Sequence, residues 1–232
     1  MKDRAANFFN RKSNLILGVL VLFLLGSHIT SLAQESKPKA QTNIPALIRK
    51  LKDKDENVVE KAHQTLLKLR PQVIPVAVEM LKNEKQCIDR ITAAEVLIEL
   101  DPKNQALTPA LIEIAKGRTV SSSEEELLCR RSAAFALGLT PDGIRALVEL
   151  LNDKDLFVRR SAIFAFDDLT EAANYPEGSL QTMKDAIPVI VKASKDKDEV
   201  LSEMADEVLG QIIRGGNKEL SDTAKQAMGQ RQ

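Results

Sequence analysis

The stretch LCRRSAAFAL, residues 128–137, returns almost unchanged as FVRRSAIFAF, residues 157–166. The interval is 29 residues, and both copies read Arg-Arg-Ser-Ala-x-Phe-Ala. Self-similarity at a fixed interval of this size marks a stacked-repeat architecture. Working outward from the small residue at the centre of each copy, the same register recurs at Ala62, Ala93, Ala133, Ala162 and Ala205. The spacings are 31, 40, 29 and 43 residues, so the unit is about thirty residues long with two insertions. The insertions are polar: GRTVSSSEEE (117–126) and TEAANYPEGSLQTM (170–183).

Each central alanine lies on an amphipathic helix. Around Ala162, the residues Val158, Ala165, Phe166 and Leu169 fall on one face at the helical period, as do Val58, Thr65, Leu66 and Leu69 around Ala62. A shorter helix precedes each. These read IPALIRKLKDKD from Ile44, IPVAVEMLKNEK from Ile74, TPALIEIAKG from Thr108, GIRALVELLNDKD from Gly143 and IPVIVKASKDKD from Ile187. Several carry Pro in the first turn, where a missing N–H does no harm. No such pair buries its apolar face alone, so stacked neighbours must supply the other half. The pattern predicts an all-α, right-handed solenoid of about five helix pairs. NKELSDTAKQAM (217–228) is the expected helix over its open end.

These quoted repeats resemble the HEAT family, in particular the short HEAT-like repeats of phycobilisome lyases. The resemblance covers residues 43 to about 214, as repeats 43–70, 73–101, 107–140, 142–169 and 184–214, with a cap helix at 217–229. It implies that the second helices line a concave surface, and that a turn Asp sits near the Arg of the helix that follows. Arg90, Arg130 and Arg159 occupy that ladder position, with Asp153 and Asp155 as the acidic partners, whereas Val59 and Ser202 stand there in the outer repeats.

The chain opens with Lys2, Arg4, Arg11 and Lys12, then the apolar run LILGVLVLFLLG (15–26) and the small residues Ser31 and Ala33. This is the layout of a secretory signal over 1–33, and the run is too short to span a bilayer. Residues 34–42 read as a flexible leader. The expected location is extracytoplasmic, periplasmic or secreted, with no membrane insertion once the signal is cleaved. Removing 1–33 moves the formal charge from 0 to −3, which argues against a nucleic-acid partner. Without Trp and with one Tyr, the composition favours helices.

Few residues suggest chemistry. KDKD (52–55), NDKD (152–155) and SKDKD (194–198) lack the ligand order of a calcium loop, and Asp there is expected to cap the next helix. Ser122 with Glu125, and Ser123 with Glu126, fit capping boxes. Cys87 and Cys129 lie in adjacent repeats, and two states are open: a disulfide, or separate thiols acting as small apolar residues. His63 is the only histidine after residue 33, and no zinc, phosphate-loop or nucleophile motif occurs. No metal or cofactor is expected.

Phe135 and Phe164 fall about 200° from the central alanines, where other repeats carry Gln64, Glu95 and Glu207. Arg131 and Arg160 precede them by four residues on the same face. Phe135, Phe164, Arg131 and Arg160 are therefore the candidate partner-binding residues, in two Arg–Phe rows. The function expected is an exported, non-enzymatic scaffold that binds a protein or peptide through its concave face. The family resemblance implies an alternative, a bilin lyase or pigment-handling factor in which Arg131 or Arg160 pairs tetrapyrrole propionates. The signal segment opposes it, because the lyases resembled act in the cytoplasm. A passive envelope scaffold is the third reading.

Overall fold

A computed structural model describes residues 42–117, 124–140, 142–171, 175 and 178–229. The signal segment (1–33), residues 34–41 of the leader, Ser122 and Ser123 lie outside the described residues, as does the side chain of Glu125. The described chain forms eleven α-helices and no strand. They are α1 (Ile44–Lys50), α2 (Glu56–Lys68), α3 (Arg70–Asn83), α4 (Cys87–Leu100), α5 (Leu107–Lys116) and α6 (Glu124–Gly138), followed by α7 (Gly143–Leu151), α8 (Leu156–Glu171), α9 (Leu180–Ala193), α10 (Glu199–Arg214) and α11 (Lys218–Gly229).

The odd-numbered helices α1 to α9 pack one on the next as one layer, and α4, α6, α8 and α10 pack likewise as a second. Each pair also packs internally, and α11 closes the stack against α9 and α10. This is an α-solenoid of five helix pairs with a terminal helix. The central alanines Ala62, Ala93, Ala133, Ala162 and Ala205 are all buried, which lets the second helices approach closely. Around them lie Leu66, Leu97, Leu137, Phe166 and Leu209, also buried, in one continuous core. Between the first two repeats polar groups tie the second helix of repeat 2 to its neighbour instead: His63 Nε2 on α2 lies 2.8 Å from Glu99 Oε1, and Lys52, in the turn before α2, pairs with Glu95.

Two prolines sit deeper than the first turn. Helix α3 begins at Arg70 and α9 at Leu180, which places Pro75 and Pro188 inside them. For α3 the cause is local: only Leu69 separates it from α2, and the Leu69 carbonyl accepts from Gln72 N at 2.8 Å, starting the new helix at once. Gly143 permits the sharp entry into α7. A Cβ there would stand 1.5 Å from the Leu137 carbonyl oxygen, so no larger residue fits without moving the backbone.

Cys87 and Cys129 are joined in a disulfide, with Cα atoms 6.3 Å apart. It ties the first turn of α4 to α6, joining the second helices of repeats 2 and 3. Of the second insertion, residues 170 and 171 belong to α8 and residues 180–183 to α9, while Tyr175 packs half-buried against the core. No described helix is long and apolar enough to cross a membrane.

Candidate protein-binding face

The turns between paired helices share one construction. In repeats 1, 4 and 5 the first Asp accepts the backbone N–H of the second: Asp53 from Asp55 at 3.0 Å, Asp153 from Asp155 at 2.9 Å and Asp196 from Asp198 at 3.0 Å. The second Asp then caps the following helix, accepting from Asn57 N (2.9 Å), Phe157 N (2.8 Å) and Leu201 N (3.0 Å). These carboxylates satisfy the orphan donors of a helix start and favour its positive end.

The arginine ladder is built on the same turns. Arg90 Nε donates to the Leu81 carbonyl at 2.8 Å, and Arg159 Nη1 donates to the Asp153 and Lys154 carbonyls at 3.0 and 3.1 Å. Each closes the C-terminal end of its own repeat's first helix, where orphan carbonyls concentrate negative potential. Arg130 lies against the end of α5 at Gly117, whose backbone takes φ 72° and where an added Cβ would meet the guanidinium at 2.2 Å. The outer guanidinium nitrogens then reach into the next repeat: Arg130 to Asp155 (3.3 Å), Arg159 to Asp196 (3.3 Å) and Arg90 to Glu113 (3.6 Å). The side chain of Asp153 accepts from Asp155 N and pairs with Lys116, and Arg159 meets Asp153 at its carbonyl.

Of the four candidate binding residues, Arg131 and Phe164 meet across the third and fourth repeats. Arg131 lies with its Cζ 4.3 Å from the centroid of Phe164, a cation–π contact from α6 to α8. Adjacent second helices pack closely enough for the long side chain to cross to the next repeat. Arg160 is drawn away altogether: its Nη2 and Nε bond to both carboxylate oxygens of Asp198, at 2.6 and 2.9 Å. That bidentate bond holds the Asp198 carboxyl below the usual carboxylate range and raises Arg160. Phe135 and Phe164 are both half-buried.

Beside Phe164, α8 presents a polar group that the repeat pattern did not single out. The side chain of Gln211 on α10 donates to Asp167 at 2.9 Å and also meets Thr170. Asp168 is mostly buried and its Oδ2 has no hydrogen-bond donor. Burial pushes its carboxyl up to about 6, against the pull of Arg131 and with the help of Asp167 and Glu171. Asp167 is raised by burial too, with the Gln211 bond opposing the rise. The visible signal was the pair Asp167-Asp168 directly after the apolar run 162–166. Among the described residues no three His, Cys, Asp or Glu side chains are placed to hold a metal ion.

No family model and no curated protein matches the chain. Solved structures similar to it include an engineered protein from a structural genomics consortium, at 16% identity over 81% of this chain and 96% of that one, with a TM-score of 0.35. A designed armadillo repeat protein matches at 15% identity over 80% of this chain and 98% of that one, TM-score 0.37. A second engineered protein from the same consortium matches at 16% identity over 81% of this chain and 67% of that one, TM-score 0.26. The two-layer stacking of its helix pairs defines this chain as a helical repeat protein.

Proposed function

We propose that this chain is an exported, non-enzymatic scaffold of the HEAT-like type, which binds a protein or peptide on the second-helix face of its third and fourth repeats. The observation that carries the reading is the Arg131 guanidinium held 4.3 Å over Phe164, in the two repeats that also carry Phe135 and every other Phe after residue 33. Arginine and aromatic side chains dominate binding hot spots, and repeat solenoids offer extended surfaces for them. Export is supported by the signal-like segment 1–33 and by the Cys87–Cys129 disulfide, a bond that persists in oxidising compartments. The non-enzymatic part of the reading is supported by the same disulfide, which occupies both thiols, and by the pairing of His63 with Glu99. The bidentate hold of Asp198 on Arg160 removes one of the two guanidiniums a chromophore-binding reading would use.

The test is affinity capture from the extracytoplasmic fraction with the tagged chain, beside a Phe135→Glu, Phe164→Glu variant matched in helicity and melting. The proposal expects a bound protein that the variant loses. Identical capture by both would reject this face.

A further inference from the structure

Six large apolar side chains are markedly exposed in the described chain, and four of them share one register position. Ile88 (44% exposed), Leu128 (49%), Phe157 (39%) and Val200 (39%) each stand five residues before the central alanine of their repeat. They follow one another in repeats 2 to 5, and only repeat 1 departs, with Asn57. Scattered exposed apolar residues are ordinary on any surface, whereas a row at one register is not scatter. Each lies in the first or second turn of a second helix, so the row runs along the edge where the paired helices turn.

A second row runs beside it. Eight residues before the same alanines stand Lys54, Lys85, Lys154 and Lys197, with Glu125 in repeat 3. The four lysines are exposed, and their ammonium groups form no ion pair among the described residues. Asp153, Asp155, Asp196 and Asp198 between them are spent on backbone N–H groups and neighbouring cations, and the exposed Asp53 and Asp55 each accept a backbone N–H. The Lys-Asp alternation thus sorts into acids that hold the fold and lysines that face outward. In repeats 2, 4 and 5 the edge presents an apolar tip with an exposed lysine beside it.

We infer that this edge binds an extended acidic peptide segment bearing an apolar side chain at every third residue. The inference rests on the scaffold reading above and assigns it a second face and a partner chemistry. Neighbouring packed helices lie about 8–10 Å apart, which sets the interval between successive tips. A polyproline II segment advances about 9 Å per turn of three residues, so its residues i, i+3, i+6 and i+9 meet Ile88, Leu128, Phe157 and Val200 in turn. Carboxylates between them reach the lysine row. A flat anionic membrane is the poorer partner, because each repeat of a solenoid is rotated on the last and carries the row out of one plane. A flexible segment follows that rotation.

The probe is a fluorescein-labelled (Leu-Pro-Glu)4 peptide, read by anisotropy against the full chain with its disulfide intact. Two controls are a permuted peptide of the same composition with its leucines contiguous, and (Leu-Pro-Lys)4. The inference expects (Leu-Pro-Glu)4 to bind at least tenfold more tightly than either. A Leu128→Glu, Phe157→Glu variant should weaken it at least tenfold, and a Lys154→Glu, Lys197→Glu variant should weaken it and flatten the salt dependence. Both change exposed side chains, and the lysine variant leaves the apolar row intact should the other fold poorly. Equal binding of all peptides, no binding, or binding of phosphatidylglycerol vesicles in place of the peptide would each overturn it. A peptide result of that kind, with capture still dependent on Phe135 and Phe164, removes this inference alone. Capture that depends on neither face removes the scaffold reading as well.

Discussion

Arg159 and Arg160 are adjacent in sequence and serve different joints. Arg159 closes the end of α7 and reaches Asp196, while Arg160 grips the carboxylate that caps α10. Asp198 therefore carries two duties where Asp55 carries one. Asp55→Ala should cost about 1 kcal/mol, the worth of a helix N-cap, and Asp198→Ala measurably more, because it also strands Arg160; urea unfolding of the two variants checks the order. Asp168 works in the opposite direction. Its folded pKa of about 6 lies above the unfolded value, so the folded state binds its proton more tightly. The charged form costs stability above pH 6, and that cost fades as pH falls from 6 towards 4. Asp168→Asn should then stabilise the chain by about 1–3 kcal/mol at pH 7.5 and by almost nothing at pH 4. A constant difference across that range, in unfolding free energies, would mean that the carboxyl is not held in this state.

At the scale of elements, the joint between α4 and α6 bears one of the two long repeat intervals and the disulfide. Closing a loop of 42 residues is worth roughly 3–4 kcal/mol, so Cys87→Ala should lower stability by about that amount. Thiol titration of the denatured, unreduced chain should find no free sulfhydryl. The entry to α7 gives another expectation. Gly143→Ala forces a methyl into the Leu137 carbonyl and should cost about 1–3 kcal/mol in the same unfolding assay. The helix pairs themselves were legible in sequence, because small alanines at regular intervals and apolar residues at the helical period leave few other ways to bury both faces. The start of α3 was not, since Pro75 reads as a first-turn residue until Leu69 is seen to join α2 directly to it. Nor was the partner of Arg160, which depends on a residue 38 positions away being brought alongside. The row from Ile88 to Val200 was present in the aligned repeats, but its meaning depends on exposure, which the helical period alone does not supply.

Over the whole molecule, each repeat supports the next through the core, the ladder and the cap carboxylates, so a partner that grips adjacent repeats would hold several joints at once. The second-helix face and the turn edge then make distinct claims on a partner. Hydrogen exchange on the chain with and without its captured partner tests the central one most directly. The account predicts added protection concentrated in α6 and α8, around Phe135 and Phe164, with the first helices α5 and α7 unchanged. Protection confined to α5 and α7, or none anywhere in the second helices, would contradict it.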